Sequence, residues 1–388
     1  MGNTIKGQFP VSKFKNIETP FYYYDADLLR NTLTTIKEES GKYGYKVHYA
    51  IKANANHDVL ALISSYGLGA DCVSGNEVKA AIEAGFKPND IVFAGVGKTD
   101  KEINFALDND IFCFNVESVP ELEVINELAT IKGKTAKVAL RINPNVDAHT
   151  HQKITTGLNE NKFGFSMNDI KFATDFIAKA SNLELIGVHF HIGSQITDFS
   201  AYEDLCVRIN ELQDEFESQG INLKNINIGG GLGINYEHPN HFPMADFEGY
   251  FRLFSKNLKL RKGQTLHCEP GRSVVAQCGS LITKVTYVKQ GTNKKFVIVD
   301  AGMTDLIRPA LYDAYHRIEN ITSDEQEETY DVVGPICESS DVFQKEVSLN
   351  ETKRGDLLAL RSAGAYGEIM ASRYNLRDLP VGYLSDKI

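Results

Sequence analysis

From residue 26 to residue 270 the chain alternates short apolar runs with longer amphipathic stretches, and this alternation restricts its fold more than any other feature. The apolar runs fall at 46–52, 68–73, 90–94, 111–116, 136–143, 184–191, 224–228 and 264–269. Helical patterns lie between them, among others at 26–42, 117–132, 169–181, 201–219 and 246–260. Short, nearly continuous apolar runs suit strands buried on both faces, and intervening helices are the crossovers that parallel strands require. Eight such strands predict an α/β fold built on a (β/α)8 TIM barrel, entered here through a helix. A barrel of this kind takes about 250 residues, so a chain of 388 has room for a second domain.

After Pro270 the pattern changes. Runs at 274–288, 295–300, 329–335, 342–349 and 356–361 read as strands joined by turns, with little helical periodicity. They predict a mainly antiparallel β-barrel domain. The apolar Phe21–Tyr24 run near the N-terminus offers it one more strand. The expected organisation is a barrel over 26–270 and a β domain over 1–25 plus 271–388.

Bulk properties narrow the functional classes. A net charge of −10 gives nucleic acid or an anionic membrane surface little to hold. No apolar run approaches the roughly 20 residues that span a bilayer, and residues 1–20 lack a basic start followed by an apolar stretch. Six cysteines (Cys72, Cys113, Cys206, Cys268, Cys278 and Cys337) form no CxxC pair, which suits reduced thiols in a cytoplasm.

The polar residues carry the chemistry through their register. Lys52, Asp71, Arg141, His191 and Glu269 fall at or near the ends of predicted strands, and Gly229-Gly230-Gly231 follows the seventh. In a (β/α)8 barrel the carboxyl ends of the strands form the active-site face. Lys52 reads either as a strand-end lysine with its amine in water or as a Schiff-base lysine kept nucleophilic by partial desolvation. The run Gly229-Gly230-Gly231-Leu232-Gly233 is either a flexible turn or a cradle of backbone N–H groups for an anion, in the usual phosphate position of such barrels. His189 and His191 share one strand face, so they could hold a metal with His149 and His151. No carboxylate or cysteine stands with them at a familiar metal spacing. His191 is better suited to stacking on a planar cofactor, with His189 packed in the core. Glu269 either pairs with Arg272 or holds a cofactor's ring nitrogen protonated.

Seven motifs in order, YAIKAN (49–54), HFHIGSQ (189–195), GGGLG (229–233), EPGR (269–272), DAGMTDLIRPALYDAYH (300–316), GPICESSDVF (334–343) and AGAYGEIMASRYN (363–375), make the chain resemble the diaminopimelate decarboxylases. These enzymes belong to the alanine-racemase-like fold group of pyridoxal-phosphate enzymes. The resemblance runs from about residue 19 to residue 375.

It implies pyridoxal 5'-phosphate as cofactor, bound covalently by Lys52. Asp71 matches the family aspartate near that lysine, His191 the stacking histidine, and Glu269 the partner of the ring nitrogen. Ser194, Gly229, Gly230, Gly231, Gly271, Arg272 and Tyr366 match positions around the phosphate. Arg272, Arg308, Tyr312, Glu338 and Tyr366 match substrate-binding positions, and Cys337 matches the proton donor. Cys337 and Glu338 reach the partner subunit's site in this family, which implies a homodimer with a shared active site. The implied reaction is decarboxylation of meso-2,6-diaminopimelate to L-lysine and CO2, the last step of lysine biosynthesis by the diaminopimelate route. The partner is thus a small amino-acid substrate, with no nucleic acid, membrane or metal.

Residue type alone leaves blander alternatives for these positions. Arg308 and Tyr312, four apart, could share one surface helical turn. Cys337 could be a buried thiol and Tyr366 a packing aromatic. Sister decarboxylases acting on carboxynorspermidine, ornithine or arginine share the fold. A diamine-forming enzyme would want acidic residues where Arg308 offers positive charge to a distal carboxylate. Cys337-Glu338 and HFHIGSQ separate the chain from an alanine racemase, and its full second domain from a non-catalytic cofactor carrier.

Overall fold

The computed structural model describes residues 6–146 and 162–388, so His149 and His151 lie outside the described residues. In chain order its first elements are α1 (Val11–Phe14), β1 (Phe21–Tyr24), α2 (Ala26–Gly41), β2 (Lys46–Ala50), α3 (His57–Ser65), β3 (Gly69–Cys72), α4 (Gly75–Glu83), β4 (Ile91–Phe93) and α5 (Asp100–Asp108). They continue with β5 (Cys113–Val116), α6 (Val119–Lys132), β6 (Ala136–Arg141), α7 (Met167–Lys179), β7 (Leu183–His189), α8 (Ser200–Ser218), β8 (Asn225–Asn227), α9 (Phe247–Asn257) and β9 (Thr265–Cys268). After these come α10 (Arg272–Val275), β10 (Gly279–Gln290), β11 (Lys295–Val299), α11 (Arg308–Tyr312), β12 (Ile318–Asn320), β13 (Glu327–Val333), β14 (Val342–Asn350), β15 (Leu357–Leu360) and β16 (Val381–Leu384). Two compact units result, one of residues 33–233 and 246–271, the other of residues 1–32, 234–245 and 272–388.

The first unit is the barrel. Strands β2 to β9 close in sequential order, and every neighbouring pair is parallel. Seven of the eight predicted runs contain one of these strands whole, and the run at 184–191 misses only Leu183 of β7. Strand β4 shows why the runs read as continuous: Ile91, Val92 and Phe93 are all buried, because one face meets the barrel interior and the other the helices. Helix starts follow local chemistry. The Asn56 side chain caps α3 and Ser74 caps α4. Thr99 and Glu102 form a reciprocal capping box on α5, and Glu102 also accepts the Gly75 N–H at 2.8 Å. At the amino end of the strands His48 Nε2 and His267 Nδ1 lie 2.8 Å apart, and both rings stack with Phe112.

The second unit is a mostly antiparallel sheet in the order β12-β15-β10-β11-β13-β14, with β1 on β10 and β16 on β1. Among the described residues only β1–β16 and β11–β13 are parallel. Strands β12 and β14 at the two ends of the path lie against each other, so the sheet is nearly closed. Phe14, Phe21, Tyr23, Ile282, Leu357 and Ala359 form one of its cores.

Three local expectations change. The run predicted to start at 274 begins as α10, and its strand starts only at Gly279. The short strands β12 and β16 carry too few alternating residues to read from sequence. Lys52 and His191 are not strand residues: β2 stops at Ala50 and β7 at His189.

Candidate active site

Lys52 sits in a 3-10 turn, Ile51–Ala53, immediately after β2. Several contacts fix that turn. Ala50 N donates to Pro270 O at 3.1 Å, and the Tyr49 hydroxyl donates to Asn54 O at 2.9 Å. A Cβ on Gly271 would meet the Cβ atoms of Ala50 and Ala53 at 3.0 and 3.1 Å, so Gly271 lets the segment after β9 pack on the lysine turn. Ala50 pairs with Asp71 across β2 and β3. Lys52 Nζ thereby lies 3.0 Å from Asp71 Oδ2, with the lysine side chain 37% exposed and the aspartate side chain fully buried. Burial and the Glu269 charge push the Asp71 carboxyl above its ordinary range, and Lys52 offsets part of this.

Glu269 follows β9 and lies deep in the barrel unit. Oε1 accepts from Asn115 Nδ2 at 3.1 Å and Asn227 Nδ2 at 2.6 Å, and Oε2 faces His189 Nε2 at 2.9 Å. Burial alone would raise this carboxyl, but the charge and hydrogen bond of His189, with Lys52 and His48 beyond, hold it well below the carboxylate range. An ionised carboxylate is therefore presented inside a buried polar network drawn from β5, β7, β8 and the end of β9. His189 is thus more than core packing, and Asn115 and Asn227 escaped the sequence reading altogether. An HxH spacing gives no sign of which carboxylate, two strands further along the chain, its first ring will meet.

The loops after β7 and β8 interlock around glycines. Gly229 has φ +70°. A Cβ there would lie 2.2 Å from Phe190 O, and one on Gly230 would lie 2.3 Å from Glu269 O. Gly230 N donates to His191 Nδ1 at 3.3 Å, and Glu269 N donates to Gly229 O at 2.7 Å. Burial, followed by the charges of Arg141 and Lys52, keeps the His191 ring neutral by lowering its pKa well below the usual value. Ser194 lies in the same loop after β7, partly buried. Arg141 is engaged elsewhere: it donates to Glu117 Oε1 at 2.8 Å and stacks over Phe163.

A planar, phosphate-bearing aldehyde fits this unit. A lysine amine stands at the mouth, Cβ-free backbone lines one side, a neutral flat ring lies beside that backbone, and an ionised carboxylate sits deeper. Among the described residues no group of three or more His, Cys, Asp or Glu is arranged to hold a metal ion.

The second unit gathers the remaining candidates. Arg308 opens α11 and Tyr312 closes it. Arg308 is only 6% exposed, so the two do share a helical turn, but the arginine points inward while Tyr312 is half-buried. The buried Arg272 has its guanidinium 4.9 Å from the Tyr366 ring centroid. Arg272 Nη1 donates to Tyr236 Oη at 2.6 Å, and Arg308 Nη1 donates to the same oxygen at 3.1 Å. Tyr366 takes a left-handed φ of +56°. Cys337 and Glu338 lie together on an exposed turn. Cys337 N donates to Asn375 Oδ1 at 3.2 Å, and Glu338 Oε1 accepts from Tyr374 Oη at 2.7 Å. The exposure of Cys337 sets it apart, because the other five cysteines are buried.

A family model for the pyridoxal binding domain of pyridoxal-dependent decarboxylases matches residues 27–276. The diaminopimelate decarboxylase of Bacteroides thetaiotaomicron is 63% identical over 385 residues, covering 99% of this chain and 100% of the relative. The chain belongs to the diaminopimelate decarboxylase family. That of Neisseria meningitidis serogroup B is 44% identical over 95% of this chain and 88% of its own. The crystal structure of the Helicobacter pylori diaminopimelate decarboxylase complexed with L-lysine superposes with a TM-score of 0.91 at 41% identity, covering 97% of this chain and 94% of that one. Membership carries a pyridoxal-dependent chemistry for the family as a whole. No helix among the described residues is long and apolar enough to cross a membrane.

Proposed function

We propose that the protein is a pyridoxal 5'-phosphate-dependent carboxy-lyase that converts meso-2,6-diaminopimelate to L-lysine and CO2. This is the last step of lysine biosynthesis by the diaminopimelate route. The observation that carries the reading is 63% identity, end to end, to a diaminopimelate decarboxylase. L-lysine in a structural neighbour at 41% identity supports the same product.

When bound, the cofactor supplies an electron sink for the pair left as the bond from Cα to the carboxylate breaks. The chain's own residues do the rest. Lys52 offers the amine that holds the cofactor's aldehyde carbon. Asp71, with its carboxyl raised by burial, can hold a proton 3.0 Å from that amine. Glu269 stays ionised to face the ring nitrogen, and His191 offers a neutral ring for stacking. Gly229, Gly230 and Gly231, with Ser194 and Gly271, would hold the phosphate, and Arg272 and Tyr366 match family positions expected for the same group. A guanidinium binds a carboxylate through two parallel hydrogen bonds. Arg272 and Arg308 therefore suit the distal carboxylate, and Tyr312, Tyr366 and the Glu338 carboxylate suit the rest of the distal amino-acid end. Cys337 supplies the proton that completes lysine.

The exposed Cys337-Glu338 turn supports a homodimer in which each protomer completes its partner's site. Six free thiols suit a reducing cytoplasm.

Release of CO2 from meso-diaminopimelate by the purified, cofactor-loaded protein tests the reaction. A protein that binds the cofactor yet releases nothing from any diamino acid would sink the reading. Borohydride should fix the cofactor to the wild-type chain but not to Lys52→Ala, and an adduct persisting in that variant would assign the anchor elsewhere.

A further inference from the structure

Tyr236 belongs to the segment 234–245, which joins the second unit although it lies between two barrel elements in sequence. Its hydroxyl oxygen receives Nη1 of both Arg272 and Arg308. Arg308 makes a second contact through the same nitrogen. Its Nη1 also lies 2.9 Å from His316 Nε2, and His316 Nδ1 lies 2.9 Å from Arg361 O. A carbonyl can only accept, so Nδ1 carries the imidazole proton and Nε2 offers a lone pair. Both protons of Arg308 Nη1 are therefore committed, one to Tyr236 and one to His316. Among the described residues no hydrogen bond is made by its Nη2 or Nε. The ring of Tyr236 also stands edge-on to His316 at 5.4 Å and 5.2 Å from the Arg308 guanidinium.

We propose that Tyr236, backed by His316, is a positioning residue for substrate specificity. It clamps Arg308 through one nitrogen so that the other edge of the guanidinium fork is aimed at the distal carboxylate. The clamp also answers an electrostatic problem. Two buried guanidiniums repel, and a phenol oxygen accepting from both is the dipole that holds them side by side. Burial would raise the Tyr236 phenol, but the two arginines outweigh it and lower it. A lysine at 308 could not be clamped in this way, because an ammonium has no planar fork to divide between clamp and ligand.

This inference rests on the reading that Arg308 binds the distal carboxylate, and the test separates the two. Once CO2 has left one end, the only carboxylate of L-lysine is the distal one. Lysine is therefore the probe, and 1,5-diaminopentane, which has no carboxylate, is the control. With the holoenzyme, Tyr236→Phe keeps the ring and removes the oxygen. Inhibition by lysine should weaken about tenfold, the loss of a hydrogen bond to a charged group. Inhibition by the diamine should not move, and the effect on turnover should fall on KM rather than kcat. Equal weakening for both ligands, or none for either, overturns the clamp. If Arg308→Lys leaves lysine inhibition unchanged, the assignment of Arg308 falls and the clamp with it. If Arg308→Lys weakens lysine and Tyr236→Phe does not, the clamp alone falls. Alkaline ultraviolet titration of the wild type reads the same contact without a substitution. One tyrosine should ionise below the ordinary value of about 10, and saturating lysine should raise it by bringing a carboxylate to the arginines. A purely structural tyrosine would not respond to lysine, and that result would also overturn the proposal.

Discussion

His316 shows how much one ring's protonation state can carry. Its neutral form is required by geometry, since Nδ1 donates to Arg361 O and Nε2 accepts from Arg308. Burial, then the Arg308 charge, lowers it to about 3, in agreement. An unfolded histidine titrates near 6.5. The folded value is depressed, so the stabilisation is fully present above about pH 6.5 and is lost as pH falls toward 3. At pH 5 the loss from this ring should be about 2 kcal/mol. Urea unfolding at pH 7 and pH 5 should show a shallower pH dependence in His316→Gln than in the wild type. Glu269 carries the same sign by a different route. Its depressed carboxyl stabilises above the unfolded value of about 4.3 and loses that contribution in acid. His189→Phe removes the Oε2 partner and should cost about 1–3 kcal/mol in urea unfolding. It should also weaken cofactor uptake by the apoprotein, read as fluorescence quenching on titration. Neither consequence could be read from sequence, because Glu269, His189, Asn115 and Asn227 meet only through closure of the barrel.

Among the elements, the turn after β8 is the most constrained. Gly230 leaves no room for a Cβ against Glu269 O, and Gly229 adds a left-handed φ. Gly230→Ala should therefore push the turn away from the segment after β9 at a cost of about 1–3 kcal/mol. The affinity of the apoprotein for the cofactor should fall about 10- to 100-fold by the same free energy, measurable by equilibrium titration. The sequence marked this turn because three successive glycines after an apolar run are rare unless backbone must approach something closely. It could not show that the obstacle is a carbonyl at each side. The strands of the barrel were legible for a related reason: burial on both faces makes each run almost wholly apolar. Their ends were not, because the 3-10 turn carrying Lys52 continues the apolar run of β2 without a break in composition.

For the whole molecule, the proposed homodimer makes a specific prediction. Lys52→Ala and Cys337→Ala protomers, each inactive alone, should regain activity when mixed under conditions of subunit exchange. One of the two sites in a heterodimer would then be intact, so recovery of about half the wild-type activity per heterodimer is the ceiling expected for two independent sites. No recovery despite exchange proven by mass spectrometry would count against a shared site. The exposed Cys337-Glu338 turn motivates this test, since a proton donor in solvent does nothing for a protomer by itself.

Local patterning was enough to determine an eight-stranded parallel barrel and a β domain after it, because burial and crossover geometry impose periods that sequence preserves. The motifs also carried the family and the residues expected to serve its chemistry. Tertiary structure alone decided which of those residues are held by which neighbours. It turned His189 from core packing into the partner of Glu269, and brought Tyr236 and His316 to Arg308. Hydrogen bonds between side chains depend on distances of a few tenths of an ångström between segments far apart in the chain, and no local period records them.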